Sequence, residues 1–273
     1  MALTAFQRNV CRLIARSRVA SGESYVAGAA ALNELLAAPR VSRDVDLFHD
    51  TDSALEASWN GDRRFLEDNG FVVRPLRERA SFVEAEVTKA GDSLLLQWLK
   101  DSAYRFFPLV EHEDLGLTLH PFDLATNKVL ALVGRLEVRD WVDTIECDGR
   151  LQPLGYLAWA ACGKDPGFSP ALILEHAARS HYSADEVNAL SFVGPAPNAA
   201  DLSRRWHRIL ATANEIVAAL PRDESGKCVL SRDGKLFTAA GAALGSALED
   251  GAIHFHSGSI RGALPQLVSP RGT

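Results

Sequence analysis

The chain has 273 residues, 47% of them hydrophobic and 23% charged, with 29 Lys plus Arg against 35 Asp plus Glu and a net charge of −6. These globular proportions exclude a disordered or fibrous chain, and the acidic balance argues against a general nucleic-acid coat protein, which binds by neutralising phosphates. No apolar run approaches the roughly 18 residues of a membrane-spanning helix.

Residues 4–19 are predicted as a helix, with Phe6, Val10, Leu13 and Ile14 on one face and Arg8, Arg12 and Arg16 on another. Those arginines also interrupt any signal-like apolar stretch, so a cytoplasmic protein without a membrane partner is expected. Two readings of the arginine face stand side by side: a solvated helix face, or a surface contacting a polyanionic substrate. A short run, Tyr25-Val26-Ala27, ends at Gly28, and a helix-like stretch follows over 29–36. Residues 41–48 alternate as a half-buried strand, with Val45 and Leu47 pointing one way and Asp44, Asp46 and Phe48 the other. A helix is expected over 53–68, stopped by Asn69-Gly70. Three strands are expected next, at 71–76, 81–88 and 93–99.

Helix dominates from there. Residues 123–132 and 137–145 form a helical pair broken at Gly134, and further helices are expected at 153–162, 170–179, 183–190, 201–219 and 236–247. Gly194-Pro195-Ala196-Pro197 is linker-like but short. The expected organisation is an α+β domain over 1–150 and an all-helical domain over 151–273. Cys11, Cys147, Cys162 and Cys228 lack zinc-type spacing and read as buried or incidental thiols.

Two aspartates at i and i+2 on a strand share a face, which is electrostatically unfavourable unless a cation sits between them. Mg²⁺ (or Mn²⁺) takes carboxylate oxygens and keeps positions open for phosphate. A glycine at a strand-to-helix turn lets a triphosphate approach the backbone N–H groups. Gly28 followed by a helix and then Asp44-x-Asp46 is similar to the signature of the DNA-polymerase-β-like nucleotidyltransferase superfamily. Arg40-x-Ser42-x-Asp44-x-Asp46, with Lys128, Ala131-Leu132, Arg135 and Arg139-Asp140-Trp141-x-Asp143, resembles the AbiEii-type nucleotidyltransferase toxins over about residues 24–145.

The resemblance implies a mixed sheet flanked by helices, with a helical C-terminal half, and transfer of an NMP from an NTP to an acceptor hydroxyl. It implies that Asp44 and Asp46 hold the metal, that Lys128 binds phosphate, and that Asp143 is the later catalytic carboxylate. Gly28, Ala29, Ser42, Lys128 and Arg135 would line the nucleotide. Asp140 is the rival of Asp143, its other reading being an ion pair with Arg135 or Arg139 that braces two helices. Arg135 contacts phosphate or nucleobase, or only braces. By the same analogy the acceptor is a tRNA 3′ end and the partner an antitoxin protein. The alternatives are nucleotidyl transfer to a small molecule or protein, and a non-catalytic nucleotide-binding scaffold.

Two departures are visible. Ala29 stands where the superfamily prefers Gly or Ser, which removes a hydroxyl contact but not the backbone N–H groups. Gln97 stands where a third carboxylate is expected. Elsewhere, His254 and His256 read as surface histidines, His112-Glu113-Asp114 as a solvated acidic loop, and Ser257–Gly262 as a loose phosphate-loop likeness carrying Arg261.

Overall fold

The strands expected at 41–48, 71–76, 81–88 and 93–99 join one sheet in the computed structural model, which describes residues 3–266. In chain order the elements are α1 (Ala5–Ser21), β1 (Ser24–Ala27), α2 (Gly28–Leu35), β2 (Asp44–His49), α3 (Asp52–Asp68), β3 (Val72–Arg79), β4 (Phe82–Lys89) and β5 (Asp92–Lys100). The short strands β6 (Tyr104–Arg105), β7 (Val110–His112) and β8 (Gly116–Thr118) follow. Then come α4 (Pro121–Arg135), α5 (Val138–Arg150), α6 (Leu154–Ala161), α7 (Pro170–Ala177), α8 (Ala184–Asn188) and α9 (Ala199–Ala219). A 3₁₀ turn at Arg222–Glu224, β9 (Cys228–Ser231), α10 (Ala242–Glu249), β10 (Ile253–His256) and β11 (Ser259–Ile260) complete the order. The chain divides into two compact units. One holds the residues up to Ala103, Leu109–Leu124 and Leu190–Pro195, and the other holds Tyr104–Pro108, Ala125–Ala189 and the chain from Ala196.

Among the described residues of the first unit, seven strands form one mixed sheet in the order β3-β4-β5-β2-β1-β8-β7. β2 runs parallel to β5 and antiparallel to β1, and β4 is antiparallel to both β3 and β5. One face carries Val45, Leu47, Leu94, Leu96, Trp98, Val83, Ala85 and Val87, all buried. Helices α1 and α3 seal this face. Trp59 of α3 meets Trp98 edge-on at 4.8 Å between ring centres, and Asp62 of α3 accepts from Trp98 Nε1 at 2.9 Å and from Arg18 at 2.6 Å. The opposite face carries Asp44, Asp46, Phe48, Leu95, Gln97 and Leu99, all half-buried.

The arginine face of α1 is not a free cationic stripe. Arg8 and Arg12 both donate to Asp114, Arg8 also reaches Glu34 at 2.9 Å, and Arg18 is buried against Asp62. Asp114 is therefore a buried acceptor rather than part of a solvated acidic loop. A segment far along the chain steadies the approach to β2: Val41 N–H donates to Ser191 O at 2.9 Å, and Val193 N–H to Pro39 O at 2.7 Å.

In the second unit α6 is buried on every side, as a helix apolar all round must be, and Tyr156, Trp159, Ile216, Leu220, Val229 and Leu244 form one core cluster. This part is not all-helical. β9 pairs with β10 and β6 with β11, both antiparallel. His256 is buried, with Nε2 2.8 Å from Phe106 O, so it is not a surface histidine. The Ser257–Gly262 glycines serve packing, since a side chain at Gly258 would strike the Tyr104 ring and one at Gly262 the Phe107 carbonyl. Among the described residues, no helix is long and apolar enough to cross a membrane. Cys11, Cys147 and Cys228 are buried, and burial pushes the Cys11 thiol up to about 12, far from thiolate reactivity.

Candidate active site

β1 ends at Ala27, whose cross-strand partner is Asp46, and the chain turns at once into α2 through Gly28. Gly28 has φ +66°, the left-handed region that glycine tolerates and other residues resist. Its missing side chain has a second reason. A Cβ at Gly28 would lie 2.8 Å from Asp46 Cγ and overlap Asp46 Oδ2. The glycine thus admits the second aspartate against the start of α2, whose N-cap residue, Ala27, supplies no side-chain hydrogen bond.

Asp44 and Asp46 alternate with fully buried Val45 and Leu47, which anchor the strand and leave both carboxylates on the half-buried face. Ser42 is buried, and its hydroxyl donates to Asp44 Oδ1 at 2.7 Å, fixing that carboxylate's orientation. Ser42 is held in turn by Gln7, whose side-chain amide donates to Ser42 O at 2.8 Å.

Gln97 sits directly beside Asp46 across the β2–β5 pair, the place where a third carboxylate is expected. Its amide donates to Glu84 Oε1 at 2.9 Å on the next strand, and Glu84 Oε2 lies 3.5 Å from Arg77 on β3. A cross-strand row therefore runs Ala27, Asp46, Gln97, Glu84, Arg77 on the Asp44–Asp46 face of the sheet. Glu84 and Arg77 carry no motif in the sequence, because only strand register brings them into line with Asp46. Among the described residues, no group of three or more His, Cys, Asp or Glu side chains has metal-holding geometry.

The motif residues of the second unit converge as a buried ion cluster. Lys128 Nζ lies 2.8 Å from Asp140 Oδ1 and 3.2 Å from Asp143 Oδ2, and both carboxylate side chains are 0% exposed. Arg135 grips Asp140 with two donors, at 2.6 and 3.0 Å. Burial opposes the charge on Asp140, but the hydrogen bonds and charges of Arg135 and Lys128 together outweigh it and hold its pKa below the ordinary carboxylate value. The turn that allows this is not at Gly134, which lies inside α4. It falls at Leu136, with φ +50°, after which Glu137, in extended conformation, stands at the N-cap position of α5.

No protein-family model and no curated protein matches the chain. Solved structures do. A candidate nucleotidyltransferase from H. pylori aligns with a TM-score of 0.54 at 14% identity, over 80% of this chain and 97% of its own. MenT4, a nucleotidyltransferase toxin from Mycobacterium tuberculosis, aligns with a TM-score of 0.51 at 15% identity, over 79% and 83%. JHP933 from Helicobacter pylori aligns at 0.50 and 13%, over 77% and 91%. At these identities the likeness establishes a shared fold, a mixed sheet flanked by helices.

Proposed function

We propose that this chain is a nucleotidyltransferase that moves an NMP from an NTP to an acceptor hydroxyl. The acceptor oxygen bonds to the α-phosphorus as its proton passes to water, and the bond from that phosphorus to the bridging oxygen breaks, releasing pyrophosphate. One observation carries the reading: Asp46 occupies the space of the side chain that Gly28 lacks, so a carboxylate and the start of a helix meet at one point. Such a helix start suits phosphate, and the carboxylate beside it suits the cation that accompanies phosphate.

The donor set of Asp44 and Asp46 fits Mg²⁺ or Mn²⁺, which typically uses one or two protein carboxylates and fills its remaining positions with phosphate and water. When bound, such an ion neutralises triphosphate charge and polarises the transferred phosphorus. Ser42 orients Asp44, and the N–H groups of Gly28 and Ala29 face the phosphates. Lys128 supplies a point charge to the triphosphate, with Arg135 bracing it through Asp140. Because the Asp143 side chain is fully buried against Lys128, it acts by positioning that ammonium rather than on the acceptor hydroxyl directly. Following the family likeness, the acceptor is a tRNA 3′ end, the protein a toxin, and its partner an antitoxin.

Labelled-NTP incorporation into total RNA, protein and small molecules, comparing wild type with Asp46→Ala, tests the reading. Label in RNA that disappears in the variant supports it, whereas label in protein or small molecules moves the acceptor. If no fraction is labelled and NTP with Mg²⁺ leaves the melting temperature unchanged, the nucleotidyl-transfer reading is lost.

A further inference from the structure

Strand β3 is an edge of the seven-stranded sheet, and its pairing with β4 slips between Pro75 and Arg77. Arg74 faces Glu86 and Pro75 faces Ala85, but Arg77 faces Glu84, so Leu76 is an extra residue. Such a bulge resets which face the following side chains occupy. Without it, Arg74, Leu76 and Glu78 would share a face. With it, Arg74, Arg77 and Arg79 do, opposite Glu86, Glu84 and Phe82. Glu84 is in line with Gln97 and Asp46, so the three arginines stand on the Asp44–Asp46 face. Three strand spacings, about 14 Å, separate Asp46 from Arg77, and successive arginines are about 7 Å apart along the strand.

A second row runs beside the first: Arg79, Phe82, Leu99, Phe48, Tyr25. Phe82 and Phe48 are both half-buried on this face. Phe82 stands next to Arg79, while Glu86 and Glu84 stand next to Arg74 and Arg77; a line of cationic side chains beside an aromatic ring is how single-stranded nucleic acid is held. Protection of a sheet edge asks only for charge on the strand. It does not ask for three like charges phased to the side that carries the acidic pair. Arg74 pairs with Glu86 at 2.7 Å and Arg77 with Glu84 at 3.5 Å, but the two arginine side chains are 67% and 68% exposed, and such pairs contribute little. A phosphate, which takes a guanidinium in bidentate fashion, competes well with them.

We propose that Arg74, Arg77 and Arg79, with Phe82, form a track that positions the single-stranded end of an RNA acceptor on the Asp44–Asp46 face. This rests on the nucleotidyl-transfer reading and names the surface that its acceptor uses. These are positioning residues; none is placed at the reacting atoms.

The test is fluorescence anisotropy of a labelled single-stranded 12-mer RNA against salt, with wild type, R74Q/R77Q/R79Q, R79Q alone and F82A. Melting curves check that each variant is folded, and the NTP–Mg²⁺ melting shift is measured in parallel. The triple variant is expected to lower the slope of log affinity against log salt by about 2, at roughly 0.7 per lost phosphate contact. R79Q should lower it by about 0.7, and F82A should weaken binding about tenfold with the slope unchanged. The NTP–Mg²⁺ shift should be unchanged in all three. RNA affinity and slope that ignore the arginines overturn the track. So does a wild type that binds NTP but no RNA, or that binds an acidic peptide such as oligoglutamate through the arginines and not RNA, and in both cases the nucleotidyl-transfer reading survives. Arginine-dependent RNA binding without any NTP shift or label transfer supports the track and removes the nucleotidyl-transfer reading.

Discussion

Asp46 Oδ2 fills the space that a side chain at Gly28 would need, and the two residues constrain each other. Gly28→Ala adds a left-handed backbone penalty of about 1–2 kcal/mol and an overlap penalty of about 1–3 kcal/mol. In an Asp46→Ala background the overlap with the carboxylate is gone and only the backbone penalty should remain. Urea unfolding of the four proteins of this cycle checks the coupling; equal costs in both backgrounds would show that the two residues are independent.

The Lys128 cluster should divide its members by burial. Lys128→Met leaves Asp140 and Asp143 buried without their shared cation and is expected to cost about 3–5 kcal/mol. Arg135 is 44% exposed, so Arg135→Gln should cost no more than about 1 kcal/mol. Denaturant unfolding of both variants checks the order. A reversed order would mean that Arg135, not Lys128, holds the two helices.

Ser42→Ala removes the donor that orients Asp44 and should leave the fold nearly as stable, within about 1 kcal/mol. If Asp44 is a ligand, Mn²⁺ affinity should fall about tenfold, the lower end of what loss of a supporting hydrogen bond to a ligand usually costs. Mn²⁺ titration followed by electron paramagnetic resonance reads the change directly. Unaltered affinity would remove Asp44 from the metal site.

His49 provides a pH signature. Desolvation by burial lowers its pKa to about 4, against the hydrogen bond between Nδ1 and Leu99 O. The folded value lies below the unfolded one, so protons bind the unfolded chain first. The stabilising contribution is therefore complete above about pH 6.5 and is lost as the pH falls towards 4. It amounts to about 3 kcal/mol over that window. His49→Asn, which keeps a donor for Leu99 O, should flatten the fall of melting temperature between pH 6.5 and 4 relative to wild type.

Much of the sheet was legible before any coordinates. Val45 and Leu47 alternate with Asp44 and Asp46 because a strand turns every second side chain to the same face, and β4 and β5 follow the same rule. Asn69-Gly70 ends α3 as expected, with Gly70 at φ +77°. What failed to show depends on distant partners. α1 has no acid nearby in sequence, yet Asp114 takes two of its arginines and Asp62 a third. Leu136 is an unlikely residue for a positive φ, so Gly134 attracted the turn that Leu136 makes. β9 has four residues and is stable only by pairing, so it does not signal itself alone.

By itself the sequence determined the alternation that places Asp44 and Asp46 on one face, the glycine before α2, and the spacing of Lys128, Asp140 and Asp143. These are local properties, set by side-chain period and backbone freedom. Tertiary structure alone decided that Glu84 is tied to Gln97 and that one extra residue at Leu76 turns three arginines to the same side. Register is a relation between strands, fixed by which apolar faces pack together, and it has no trace in any one strand's residues.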